Sequence, residues 1–196
     1  MNPETEHAAE QQAEIESLRK KIEALDPSDE EAFLKIIEVI KRRSVILDST
    51  EFKRVKELIR GEGQLIPPEL DLAFLDQTQF QIYLNKNVFP EESLGEILEH
   101  EATELIHVVR ATKGAKPDKQ NWREAHQAAL IREYRLAKQN GQLEEHHAWI
   151  LGYLEKMKEG VYVNPEIAVM IDRQIHERTE AVEQILKEFN KPNSPP

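Results

Sequence analysis

The sequence predicts an α+β protein that is predominantly helical, with a small antiparallel sheet packed beside one of its helices. Three observations support this prediction. Most of the 196 residues lie in segments whose apolar residues repeat at helical spacing, and proline or glycine separates these segments. One short stretch instead alternates apolar and polar residues, the period of a half-buried strand. Hydrophobic residues make up 39% of the chain, which is enough for a proper core.

Residues 1–62 are predicted to form an N-terminal region of amphipathic helices. The first helix, over residues 4–25, has an apolar stripe at heptad spacing, formed by Ile15, Leu18, Ile22 and Leu25. Two interpretations of this stripe stay open. The helix packs on the body of the protein, or it associates with a partner or with a second copy of the chain.

The next elements follow from capping and breaking residues. Ser28 and Glu31 have the spacing of a capping box and predict a helix over 28–43. The β-branched segment 44–47 predicts a short strand. A third helix is predicted over 49–60, because a glycine-containing segment follows it.

Residues 63–190 are predicted to form a helical domain with short strands. Phe80, Ile82 and Leu84 alternate with polar residues and follow an apolar run at 72–75, which predicts a hairpin with its turn at 76–78. Four helices are then predicted, over 92–113, 121–139, 142–158 and 165–190. The proline-rich tail 191–196 is predicted to be disordered.

Composition excludes several classes of function. The formal net charge is −11, which disfavours non-specific binding to nucleic acid. The chain has no cysteine, so disulfide frameworks and thiolate metal sites are excluded. No apolar run is long enough to span a membrane, and the acidic N-terminus lacks the features of a signal peptide. We therefore expect a cytoplasmic protein that does not bind membranes.

The stretch ILEHEATELIHVVR, residues 97–110, carries the candidate chemistry. On a helix, His100, Glu104 and His107 fall within roughly 60° of one another, at the border of the apolar face. Imidazole and carboxylate groups one turn apart can bind one divalent cation, and both suit zinc, iron or manganese. Glu101 is displaced sideways, where it could accept a proton from a water molecule at the metal.

A third ligand is needed to complete such a site. His107 lies on the same helix, and His126 lies on the next helix, on a face that is predicted to point inward. Glu133, two turns after His126, could be a ligand or the acceptor that orients a ligating imidazole.

The hairpin segments 72–75 and 80–84, followed by a helix with the pattern H-E-x-x-E, resemble the core of the zincin-like metallopeptidases. The resemblance covers about residues 64–139, and Ala125-His126 is similar to an Ala-His on the next helix of small zincin-like domains. It implies a peptide-hydrolysing metalloenzyme with His100, Glu104 and His126 as zinc ligands and Glu101 as the general base. It also implies that an edge strand, here 80–84, binds the extended peptide substrate.

Two other functions are considered. Glu104-x-x-His107 and Glu144-x-x-His147 could form a di-iron carboxylate site in a helix bundle, with Glu133 and either Glu101 or Glu38. Alternatively, the chain is a helical adaptor or a catalytically inactive relative that acts through its amphipathic terminal helices. His146 and His147 are otherwise expected on a solvent-exposed face beside Trp149.

Overall fold

The computed structural model describes residues 3–26, 28–61, 71–113, 115–160 and 165–190. Within them the chain is predominantly helical, with seven α-helices, one short 3-10 turn and three strands. The elements are α1 (Pro3–Glu23), α2 (Glu30–Arg42), β1 (Val45–Leu47), α3 (Ser49–Gly61), β2 (Ala73–Asp76), β3 (Gln81–Asn85), α4 (Leu94–Thr112), α5 (Lys119–Gln139), α6 (Leu143–Gly160) and α7 (Pro165–Phe189). No helix in these ranges is both long and apolar enough to cross a membrane.

The chain divides into two compact units, which we call unit 1 (Met1–Ala129) and unit 2 (Leu130–Pro196). The boundary falls within α5. The boundary predicted between residues 62 and 63 lies in the undescribed segment 62–70, and the described residues on both sides of it belong to unit 1. The predicted disordered tail, 191–196, also lies outside the described residues.

The sheet of unit 1 is mixed, so the prediction of an antiparallel sheet was wrong for one strand. The predicted hairpin is present: β2 and β3 pair antiparallel, with Ala73 opposite Leu84 and Asp76 opposite Gln81. β1 joins the other side of β3 in parallel orientation. A parallel pair requires a long connection, and the chain from β1 to β3 includes α3. The strand order is β1-β3-β2, which makes β3 the central strand.

The apolar stripe of α1 is part of the core of unit 1. All four of its residues are buried, with exposed fractions of 8% or less: Ile15, Leu18, Ile22 and Leu25. α1 contacts α4, and so do α2, β2 and β3. The first interpretation of the stripe therefore holds, because a stripe that is buried within its own unit is not available to a partner.

The start of α2 differs by one residue from the predicted capping box. Asp29 is the N-cap, and its side chain accepts a hydrogen bond from the backbone N–H of Ala32. Ser28 instead donates its backbone N–H and its hydroxyl to Oδ1 of Asp26. Glu31 forms an ion pair with Lys35. A carboxylate one residue later thus replaces the predicted serine as the cap.

A buried ion pair fixes α4 against α2. Nζ of Lys41 on α2 lies 2.7 Å from Oε2 of Glu99 on α4, and the two side chains are only 19% and 8% exposed. Glu99 immediately precedes His100, so this contact also holds the start of the histidine-containing turn. A buried charge is costly unless an opposite charge accompanies it, so the pair constrains how α4 can rotate.

We predict that Glu99→Ala lowers the free energy of unfolding by about 1–3 kcal/mol, because the ammonium of Lys41 loses its closest carboxylate in a poorly solvated position. Urea unfolding followed by circular dichroism measures this change. Glu31→Ala is the matched control, since the Glu31–Lys35 pair is as short, at 2.6 Å, but largely exposed. Glu31→Ala is expected to leave the midpoint of urea unfolding unchanged. Equal effects of the two substitutions on the free energy of unfolding would contradict the prediction.

Candidate metal centre

His100, Glu104 and His126 come together in unit 1. One ligand atom from each residue lies within 4.8 Å of the ligand atoms of the other two. His100 is buried, whereas Glu104 and His126 are partly buried. Within the described residues, this is the one group of three or more histidine or acidic side chains whose geometry could hold a metal ion.

The contacts between these side chains are close. Nδ1 of His126 lies 3.5 Å from Oε1 of Glu104. The rings of His100 and His126 meet edge to face, with centroids 4.9 Å apart and an angle of 71° between their planes. Nε2 of His126 is buried and has no hydrogen-bond partner in the described part of the chain. The cluster therefore has one imidazole nitrogen whose polar interaction is missing.

Two helices supply the three residues. His100 and Glu104 are one turn apart on α4, which places their side chains side by side. α4 ends where Lys113 adopts a left-handed conformation with φ 46°. Asp118 and Asn121 then cap the start of α5 by exchanging hydrogen bonds between side chain and backbone, with lengths of 3.1 and 2.8 Å. His126, two turns into α5, lies next to α4, where it contacts Glu104 and His100.

Small residues surround His126 on α5. Ala125 and Ala129 are 1% and 0% exposed, and both lie beside His126 on the helix surface. Their side chains occupy little space, so they allow other parts of unit 1 to approach this face closely. The predicted inward orientation of His126 is consistent with this burial pattern.

The structure places the other candidate residues outside the cluster. His107 contacts the ring of Phe33 on α2 edge to face, at 5.8 Å between centroids, and it is not in the three-residue group. Glu101 is partly buried on α4, also outside the group of ligand atoms. Glu133 belongs to unit 2, where its Oε1 accepts hydrogen bonds from His146 and Arg178.

The residues of the di-iron hypothesis do not form a common cluster among the described residues. Nδ1 of His147 lies 3.0 Å from the hydroxyl of Tyr134, and Glu144 is exposed. Glu38 lies 3.7 Å from Lys41. These side chains take part in separate interactions, because the short E-x-x-H spacing says nothing about which helix faces meet.

The expectation of a solvent-exposed face at His146 was wrong. His146 is 2% exposed and lies 2.6 Å from the equally buried Glu133. A signal for this burial exists in the sequence: His146 follows Leu143 by three residues and precedes Ile150 by four, which is the spacing of one helix face. The polarity of histidine predicts exposure to solvent, but the position of His146 on the apolar face of α6 predicts burial.

Comparisons with models of protein families, with curated protein sequences and with solved structures found no match to this chain. The resemblance of the H-E-x-x-E helix to the zincin-like metallopeptidases therefore stays a prediction.

Proposed function

We propose that the protein is a metal-dependent hydrolase in which His100, Glu104 and His126 bind a divalent metal ion. The observation that carries this proposal is the convergence of three ligand atoms, from two different helices, within 4.8 Å of one another. Two of the residues share a helix turn, but His126 is 22 positions from Glu104 in the sequence. Its presence in the cluster follows from the tertiary fold and not from the motif.

The size of the cluster suits a metal ion. Three atoms that lie within 4.8 Å of one another can all be about 2.8 Å or less from a common point. Zinc binds histidine nitrogen and carboxylate oxygen at about 2.0–2.2 Å. Side-chain rotations that move each ligand atom by less than about 1 Å would therefore complete the site. Two imidazoles and one carboxylate suit zinc, and also iron or manganese.

The unsatisfied nitrogen of His126 also supports a bound cation. A buried polar atom without a partner costs free energy, and such atoms in native proteins call for an explanation. Nε2 of His126 is such an atom, and the carboxylate of Glu104 lies near the other nitrogen of the same ring. Binding of a cation at Nε2 of this imidazole would remove the cost.

Three protein ligands are the arrangement found in catalytic zinc sites, where the fourth position holds water or substrate and the metal lowers the pKa of that water toward neutrality. Glu101 follows the first ligand directly on α4 and is partly buried. We propose that its carboxylate accepts the proton from the attacking water and later delivers it to the leaving group.

The proposed substrate is a peptide, as the resemblance implies, but the predicted substrate-binding strand needs a correction. The segment 80–84 was expected to be an edge strand. In the structure β3 is paired on both sides, with β1 and with β2, so it cannot accept an added strand. β1 supplies the third strand, and Val45, Ile46 and Leu47 pair with positions 83–85.

We predict that the purified, untagged protein contains close to one equivalent of zinc, iron or manganese, and that His126→Ala abolishes this binding. Elemental analysis by mass spectrometry measures the metal content. Added zinc is also expected to raise the Tm of the metal-free wild-type protein, because an ion that binds only the folded state stabilises it.

The matched control is His176→Ala on α7. His176 is paired with Glu180 at 3.4 Å, similar to the His126–Glu104 distance of 3.5 Å, but its side chain is 71% exposed. The control should retain wild-type metal content. A wild-type protein without metal whose Tm does not respond to zinc would rule out the metal centre, and so would a His126→Ala variant that retains the metal.

We further predict that Glu101→Gln retains the metal but lowers the hydrolysis rate by about 100-fold or more, because glutamine has nearly the same shape but cannot accept the proton. Cleavage of a mixed library of fluorogenic peptides, with elemental analysis of the same samples, tests this. If the wild-type protein binds metal but cleaves none of the library, the proposed peptide-hydrolase function is wrong, whereas the proposed metal site is supported. If Glu101→Gln cleaves at the wild-type rate, Glu101 is not the base.

A further inference from the structure

Unit 2 contains a buried network of polar side chains that the proposed metal centre does not use. Oε1 of Glu133 on α5 lies 2.6 Å from Nε2 of His146 on α6 and 2.7 Å from a terminal nitrogen of Arg178 on α7. The hydroxyl of the neighbouring Tyr134 lies 3.0 Å from Nδ1 of His147 and 3.4 Å from the same Arg178 nitrogen. The network thus connects three helices through side chains of five residues.

The direction of the hydrogen bonds in this network can be assigned. A guanidinium has only donors, so Arg178 must donate to the oxygen of Tyr134. Burial, the largest cause, raises the pKa of Tyr134, so its hydroxyl keeps its single proton. We assign that proton to the hydrogen bond with Nδ1 of His147, which is the acceptor within reach. In this assignment His147 is neutral and carries its own proton on Nε2.

Protonation of His147 is incompatible with this arrangement. It would place a second N–H on Nδ1, which is the atom that accepts from Tyr134. Two cationic donors, from His147 and Arg178, would then face one hydroxyl oxygen, and the proton of Tyr134 would lose its acceptor. Tyr134 is fully buried, at 0% exposure, so a hydroxyl proton that loses its acceptor there costs free energy.

The charges around His147 act in the same direction. Burial is the largest cause that lowers the pKa of His147, and electrostatic interactions with Arg178 on α7 and with the neighbouring His146 on α6 lower it further. Glu133 on α5 opposes them, but more weakly. A histidine whose pKa is lower in the folded than in the unfolded state stabilises the fold above its unfolded pKa. This contribution is lost as the pH falls through the folded pKa.

We propose that this network is a proton-sensitive device. Protonation of His147 breaks its hydrogen bond with Tyr134 and loosens α6 from α5 and α7, so unit 2 is stable at neutral pH and weakens in mild acid. The proposal is independent of the metal centre, because all five residues lie in unit 2. It assigns a role to the His146-His147 pair, in which His146 anchors α6 to Glu133 and His147 responds to pH.

The test is urea unfolding of the full-length chain between about pH 7.5 and about pH 5, the range in which histidine titrates. Trp149 lies near the network, with its ring 6.0 Å from that of His146, and is the fluorescent reporter. Trp122→Phe removes the other tryptophan and is present in every sample. We expect the folding equilibrium constant of unit 2 to fall with decreasing pH, by up to about tenfold per pH unit for one proton.

His147→Gln is the decisive variant. An amide oxygen can still accept from Tyr134 but does not titrate, so the variant should show a clearly smaller pH dependence than the wild type. His176→Gln is the matched control, because it removes a largely exposed histidine of the same unit and should retain the wild-type pH dependence. The proposal is wrong if wild-type stability is constant over this range, or if His147→Gln keeps the full pH dependence.

A second measurement uses protein in which His147 is unchanged, so it does not depend on whether the His147→Gln variant folds. Nitrogen-15 NMR of labelled histidine distinguishes the two neutral tautomers and follows titration. We expect His147 to carry its proton on Nε2 at neutral pH and to protonate below the ordinary range of histidine, about pH 6.5. The Nδ1–H tautomer, or protonation above that range, would overturn the proposal.

Discussion

The burial of polar side chains along α4 is the constraint on which unit 1 depends. Four elements that precede it in the chain, α1, α2, β2 and β3, contact this helix. They bury its apolar residues and, with them, Glu96, Glu99, His100 and Thr103. Carboxylates and imidazoles in such a position destabilise the fold unless other groups compensate for their lost hydration. Lys41 does so for Glu99. For His100, the neighbouring residues are Glu104 and His126, which together have the composition of a metal site.

The two units compensate for their buried polar residues in different ways. In unit 2, the carboxylate of Glu133 accepts from His146 and Arg178, while Nε of Arg178 is buried without a hydrogen-bond partner among the described residues. In unit 1, Nε2 of His126 is buried without a hydrogen-bond partner among the described residues. A neutral imidazole nitrogen beside a carboxylate can bind a cation, whereas the nitrogen of a guanidinium is a donor on a group that is already positively charged. This difference is why we propose a metal ion in unit 1 and a proton-sensitive core in unit 2.

Much of the fold could be predicted because local patterns determine it. The period of two at Phe80, Ile82 and Leu84 predicted a strand, and all three residues are fully buried. The strand itself begins at Gln81, since Phe80 lies in the turn with φ 49°. The stripe of α1 was recognised, but the sequence could not decide whether it faces the protein or a partner, because both environments select the same apolar residues. The parallel pairing of β1 was not predictable, since three residues carry no information about which strand they join.

The sequence by itself determined the helices, the hairpin and the placement of His100 and Glu104 on one face of α4, because these depend on spacing within a single element. The tertiary structure alone decided which residues complete each polar cluster. It brought His126 to Glu104, turned His107 toward Phe33, and placed Glu133 with His146 in unit 2. Several glutamates and histidines have suitable spacing in the sequence. The packing of whole helices, which depends on all the apolar residues together, selects the few that meet.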